Sequence, residues 1–127
     1  MRQNVSSGSK WEPLVGYSRA VRIGKTICVS GTVGVAADGS TPSDAYHQAR
    51  RALEIIADAL RAAGAGMTDV VRTRMFLTDM KHFQEVARAH GEVFGAIRPA
   101  TSAVAVAGLV DPAFVVEIEA DAVMKAE

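Results

Sequence analysis

Apolar and polar residues alternate in two rhythms along this 127-residue chain. The opening ten residues are polar, carry no period and are expected to be loose. Val21 to Ile23 and Ile27 to Ser30 are short apolar runs joined by Gly24-Lys25, which predicts a β-hairpin. Residues 34–42 read as loop, with Asp38-Gly39 as a turn signal. The period then changes. Tyr46, Ala49, Leu53, Ile56, Leu60 and Ala63 recur at three- and four-residue steps, on one face of a helix. Arg50, Arg51, Glu54, Asp58 and Arg61 fall largely away from that face. Ser43, after Pro42, is the expected N-cap, and Gly64 and Gly66 end the helix.

Val70 to Thr78 returns to alternation and predicts a strand. Val71, Thr73, Met75 and Leu77 share one face, and Arg72, Arg74, Phe76 and Thr78 the other. A second helix is expected over 81–94, with Phe83, Val86, Ala87, His90 and Phe94 inward and Asp79 suiting the dipole at its start. Thr101 to Ala107 and Val115 to Val123 read as the last strands. The order β-β-α-β-α-β-β predicts one α+β domain over 1–127, a mixed sheet with two helices on one face. Ala103 to Ala107 is apolar on both alternating faces, as expected of a strand covered on both sides. Two helices cover only one face, so self-association is expected to cover the other.

Charge narrows the function classes. Lys plus Arg and Asp plus Glu are 14 each, so the net charge is zero. Without a basic run the chain lacks the footprint that displaces counterions from nucleic acid. Cys28 is the only cysteine, which excludes an intrachain disulfide; its apolar surroundings predict a buried, inert thiol. The polar start has no leader-like apolar core, and no run approaches the ~20 residues that span a bilayer. A cytoplasmic protein without membrane contact is the expectation. His47, His82 and His90 lack metal-ligand spacing, so no metal is expected.

Several short motifs occur in a familiar order. Pro99-Ala100-Thr101-Ser102 and Glu117-Ile118-Glu119-Ala120 resemble the closing motif of the Rid family, the reactive intermediate deaminases, also called the YjgF family. That motif reads Pro-Ala-Arg-Ser, a strand, then Glu-Ile-Glu-Ala. Gly16-Tyr17-Ser18 is similar to the family's Gly-Pro-Tyr-Ser, and Val29-Ser30-Gly31 to its Val-Ser-Gly-Gln, with Thr32 for the Gln. Asp69-Val70-Val71-Arg72-Thr73 and Phe76-Leu77-Thr78-Asp79-Met80 extend the likeness, which runs from about Val15 to Val123.

The resemblance implies a chorismate-mutase-like fold and a homotrimer with helices outside and ligand clefts between subunits. It implies cofactor-free addition of water to an amino-acid-derived imine, with loss of ammonia. Tyr17, the backbone at Ser30 and Gly31, Thr101 and Glu117 match the family's cleft positions. Thr101 stands where the family has a carboxylate-binding arginine, Ala103 where it often has Cys, and Ala87 where it has Asn. A guanidinium is a planar, bidentate carboxylate anchor. Its loss predicts little activity on small imino acids and favours a bulkier or less anionic substrate.

Each candidate has a plainer reading. Arg74 is a substitute carboxylate anchor, or an ion-pair partner of Glu117, Glu119 or Asp121. Glu117 is a general base with a raised pKa, or that same partner. Tyr17 holds a ligand or packs. His90 is structural or borders a cleft. Trp11 lids the cleft or packs at the terminus. Two functions follow: a divergent imine or enamine deaminase, or a non-catalytic trimer binding a small metabolite.

Overall fold

The computed structural model describes residues 1–125. The predicted hairpin is present as β2 (Ala20–Ile23) and β3 (Thr26–Thr32), antiparallel, with Gly24 at φ 59° in its turn. Such a positive φ suits glycine, which has no Cβ to clash. The first residues are not loose. Arg2–Val5 form β1, antiparallel to β2, and only Val5 of the four is buried. Backbone hydrogen bonds hold this strand, so side-chain patterning does not announce it. A short helix, α1 (Trp11–Val15), follows and turns into Tyr17 through Gly16, whose φ is 88°.

The long helix α2 spans Ala45–Ala62. Its N-cap is Asp44 rather than Ser43: the carboxylate accepts from the His47 amide at 3.0 Å. Ala49, Leu53, Ile56 and Leu60 are buried as their spacing predicts, while Tyr46 is half-exposed. Strand β4 (Val70–Leu77) has a register shift between Val70 and Arg72. This irregularity turns Val71 outward, 48% exposed, where strict alternation put it inside. Helix α3 (Phe83–Phe94) follows a 3-10 turn capped by Asp79. Val86, Ala89 and Phe94 are its buried residues; Phe83 is exposed because it stands on the first turn, beyond the sheet. Strands β5 (Ala100–Ala105) and β6 (Val116–Val123) complete the chain.

The sheet has six strands in the order β1-β2-β3-β6-β4-β5, with β4 and β5 parallel and the other pairs antiparallel. Ile27, Val29, Met75, Leu77, Ile118 and Ala120 face α2 and α3 and form the core. Period two sends Cys28, Arg74, Phe76, Glu117, Glu119 and Asp121 to the opposite face. Cys28 is therefore exposed in the single chain, not buried. Partial desolvation by its neighbours and the facing Asp121 still push its thiol pKa up, which keeps it a poor nucleophile. Strand β5 is an edge, and Val104 is 45% exposed. The strand expected to be covered on both faces is exposed on both in an isolated subunit, with only Ala103 half-buried. Among the described residues no helix is long and apolar enough to cross a membrane.

Candidate functional site

Strand β3 carries the local irregularity that builds the site. Val29 pairs with Ala120 and Thr32 with Ile118, so Ser30 and Gly31 together oppose Glu119 alone. This is a β-bulge, a device that re-aims residues beside functional sites. Glu117 of β6 lies against Gly31, where any Cβ would overlap its carboxylate. A side chain at this position would fit only if the flexible end of Glu117 moved away. The Ser30 hydroxyl donates to the Ser18 carbonyl at 2.6 Å, which ties the bulge to the segment carrying Tyr17.

Glu117 is half-buried, and its carboxylate has no hydrogen-bond or ion-pair partner among the described residues. Burial pushes its pKa up, repulsion from Glu119 adds to this, and Arg19 opposes it. An unpaired carboxylate with a raised pKa is a stronger base than an ordinary surface carboxylate and is free to exchange a proton with a ligand. Arg74 takes the ion-pair role: its Nη1 lies 3.1 Å from Glu119 Oε1 and 3.2 Å from Asp121 Oδ2. It is not directed to Glu117.

Tyr17, Ser30, Gly31 and Glu117 border one open groove of about 1090 Å³. The N-terminal segment with Trp11, the loop after β3 and α2 also line it, as does Phe114. Glu12 fixes the N-terminal segment. It is buried and accepts from the Ser7 amide at 2.9 Å and the Ser7 hydroxyl at 2.6 Å. Burial alone would raise its pKa, but the hydrogen bonds from Ser7 and Ser6 and the charge of Arg19 outweigh it, so Glu12 is held low.

Thr101 and Ala103 do not reach this groove within one chain. They pair with Thr73 and Met75 and share the helix-side face of the sheet, two strands from Glu117. The Thr73 hydroxyl donates to Thr101 Oγ1 at 2.7 Å and stands 2.8 Å from His90 Nε2. With Thr73 donating to Thr101, its oxygen accepts from His90 Nε2–H, which fixes the tautomer. Burial holds the His90 pKa below its ordinary value, which favours the neutral ring. The plain structural reading of His90 fits this network.

One residue of the groove escaped the sequence reading. Arg19 is 8% exposed and lines the groove beside Tyr17, Gly31 and Glu117. Its Nη1 donates to the Gly31 carbonyl at 2.8 Å and to Thr32 Oγ1 at 2.9 Å, and its Nη2 to the Tyr17 hydroxyl at 3.2 Å. It stands two residues after Tyr17, in the motif already singled out. A lone arginine entering a strand reads as solvated unless its burial is known. Among the described residues no group of three or more His, Cys, Asp and Glu side chains is arranged to hold a metal ion.

A mixed sheet backed by helices, with a bulged strand set against a lone carboxylate, defines a YjgF-type α+β protein. Residues 8–124 match the family model described as Endoribonuclease L-PSP, and the chain belongs to that family, the YjgF/Rid family. It is similar to a crystal structure from Mycobacterium tuberculosis, described as a member of the highly conserved YjgF/YER057c/UK114 family. The TM-score is 0.91 and the identity 49%, covering 98% of this chain and 100% of the other. An uncharacterized protein of Streptomyces coelicolor is 35% identical over 121 residues, 94% of this chain and 90% of the relative. The 2-iminobutanoate/2-iminopropanoate deaminase of Mus musculus is 36% identical over 124 residues, 95% of this chain and 91% of the relative.

Proposed function

We propose that this protein is an imine or enamine deaminase that adds water across a C=N bond in the groove beside Glu117. The observation that carries this reading is the Glu117 carboxylate: half-buried, unpaired, raised in pKa and packed against a bulge glycine. Glu117 takes a proton from water as the water oxygen bonds to the imine carbon. It returns that proton to nitrogen, giving a carbinolamine; Glu117 then takes the carbinolamine hydroxyl proton and passes it to the same nitrogen as the C–N bond breaks, so that ammonia leaves and a carbonyl remains. Tyr17 donates to the substrate from the groove wall, and the bulge backbone at Ser30 and Gly31 shapes its floor. The name of the mouse relative lends this chemistry support.

The working unit of this proposal is a homotrimer. The bare face opposite the helices and the exposed β5 edge favour it. A neighbouring copy would bring a β5 edge with Thr101 and Ala103 toward the groove, which a single chain leaves open. No metal or cofactor takes part in the proposed steps.

A second reading, a non-catalytic trimer that holds a metabolite, draws on Thr101. Its short hydroxyl is engaged by Thr73 and provides no cation where the family has arginine. Ammonia release from freshly generated imines, small aliphatic and bulky aromatic, separates the two. The enzyme reading expects turnover of at least one imine and its loss in Glu117→Gln. Inert wild type with activity gained by Thr101→Arg would mean a competent scaffold moved to another ligand. Inertness of both proteins on both imines would leave the binding reading.

A further inference from the structure

We infer that Arg19 is the anchor for a carboxylate on the substrate, in place of the arginine missing at Thr101. Arg19 is a buried guanidinium with no carboxylate within ion-pair distance among the described residues. A buried cation that makes no direct salt bridge, with Glu12 and Glu117 acting on it only at longer range, gains from an anion brought into contact with it. Its geometry is already fixed. Both Nη1 hydrogens are held by Gly31 O and Thr32 Oγ1, and one Nη2 hydrogen by the Tyr17 hydroxyl. A guanidinium has five N–H donors, so Nε–H and one on Nη2 remain for a ligand. The Tyr17 hydroxyl, which accepts from Arg19, keeps its own proton to donate.

The two charged walls of the groove meet at one residue. Arg19 bonds to the Gly31 carbonyl, and Glu117 packs against the Gly31 Cα where a Cβ would stand. The donors and the base are thus set for adjacent atoms of one small molecule. A carboxylate at Arg19 and Tyr17 puts the carbon bonded to it within range of a water held by Glu117. That arrangement selects a small 2-imino acid, and it reverses the expectation drawn from Thr101 alone. A monoanion is favoured over a dianion because Glu117 and Glu12 both lie in the field of Arg19.

The placement of the imine rests on the deaminase reading, but the anchor is testable without turnover. Full-length protein would be titrated calorimetrically with pyruvate, a 2-oxo acid, and with pyruvamide, its neutral amide. Wild type should prefer the acid by about tenfold or more, the scale of a charge-assisted fork. Arg19→Gln should remove that preference by weakening the acid alone, and Arg19→Lys should restore part of it. Equal binding of acid and amide by wild type would overturn the proposal without any variant, as would failure to bind either. So would an equal loss for both ligands in a folded Arg19→Gln, since that marks a purely structural clamp. Should Arg19→Gln not fold, the Arg19→Lys ratio decides on the same terms. An acid preference without ammonia release keeps the anchor and removes the deaminase; release without a preference does the reverse.

Discussion

Gly31 and Glu117 form the tightest pairing in the site, and two predictions rest on it. A methyl group at Gly31 has no room beside the Glu117 carboxylate. Gly31→Ala should swing that carboxylate away, cutting ammonia release at least about tenfold while changing the stability of the fold little, because only the flexible end of Glu117 has to yield. Paired urea melts and assays read both effects. Glu117→Gln should lower turnover by about 10²–10⁴-fold, as removal of a general base does. Its effect on stability has a definite sign. The folded pKa of Glu117 is raised by burial and by Glu119, with Arg19 opposing, so folding favours the protonated form. Below the ordinary carboxylate pKa both states are protonated and nothing is lost. As pH rises through that value toward the raised one, ionising the buried group costs stability. Glu117→Gln should therefore match wild type near pH 4 and be the more stable protein near pH 7.5. A gap that closes with rising pH would contradict this assignment. The motif order singled out Tyr17, Ser30, Gly31 and Glu117 as candidates, and the fold brings these four to one groove. Arg19 was hidden because burial and hydrogen bonding, not identity, give it a role.

At the scale of elements, legibility follows how each one is stabilised. Helix α2 was plain because packing of Leu53, Ile56 and Leu60 demands a 3.6-residue period. Strand β1 was invisible because three of its four side chains are exposed and the β2 backbone holds it. The outward turn of Val71 is likewise a ladder irregularity that alternation does not foresee. Gln48 shows what a polar residue on an apolar helix face can do. It is 1% exposed; its amide donates to Pro42 O at 2.8 Å and Ala113 O at 2.9 Å, and its carbonyl accepts from the Val115 amide at 2.9 Å. These bonds join the loop before α2 to the segment leading into β6, next to Phe114 and Glu117. Gln48→Ala removes the side-chain partner of three partly buried backbone groups, so a loss of about 1–3 kcal/mol is expected in chemical denaturation. Hydrogen exchange should rise first at residues 113–116 and in the loop before α2.

For the whole molecule, the sheet's outer face decides how the groove is finished. That face mixes ion pairs with apolar side chains. Arg74 pairs with both Glu119 and Asp121 near its middle, while Phe76 and Val104 flank it toward the bare edge. Paired charges and apolar neighbours tolerate contact with another copy better than isolated charges would. An exposed edge strand such as β5 is also a liability that proteins usually cover. Val104 lies where such a contact would be dry, yet it is 45% exposed in the single chain. Its replacement therefore separates folding from assembly. Val104→Asp should change the stability of an isolated subunit by no more than about 0.5 kcal/mol, as surface substitutions do. Placed in an apolar interface, the same carboxylate would be buried without a partner. Sedimentation should show wild type as a trimer and Val104→Asp as a folded monomer with unchanged circular dichroism. Ammonia release should fall with the trimer, because the open side of the groove then has no neighbouring β5 edge. A folded, active monomer of the wild-type chain would remove both the interface and the shared cleft, leaving Glu117, Tyr17 and Arg19 to act alone.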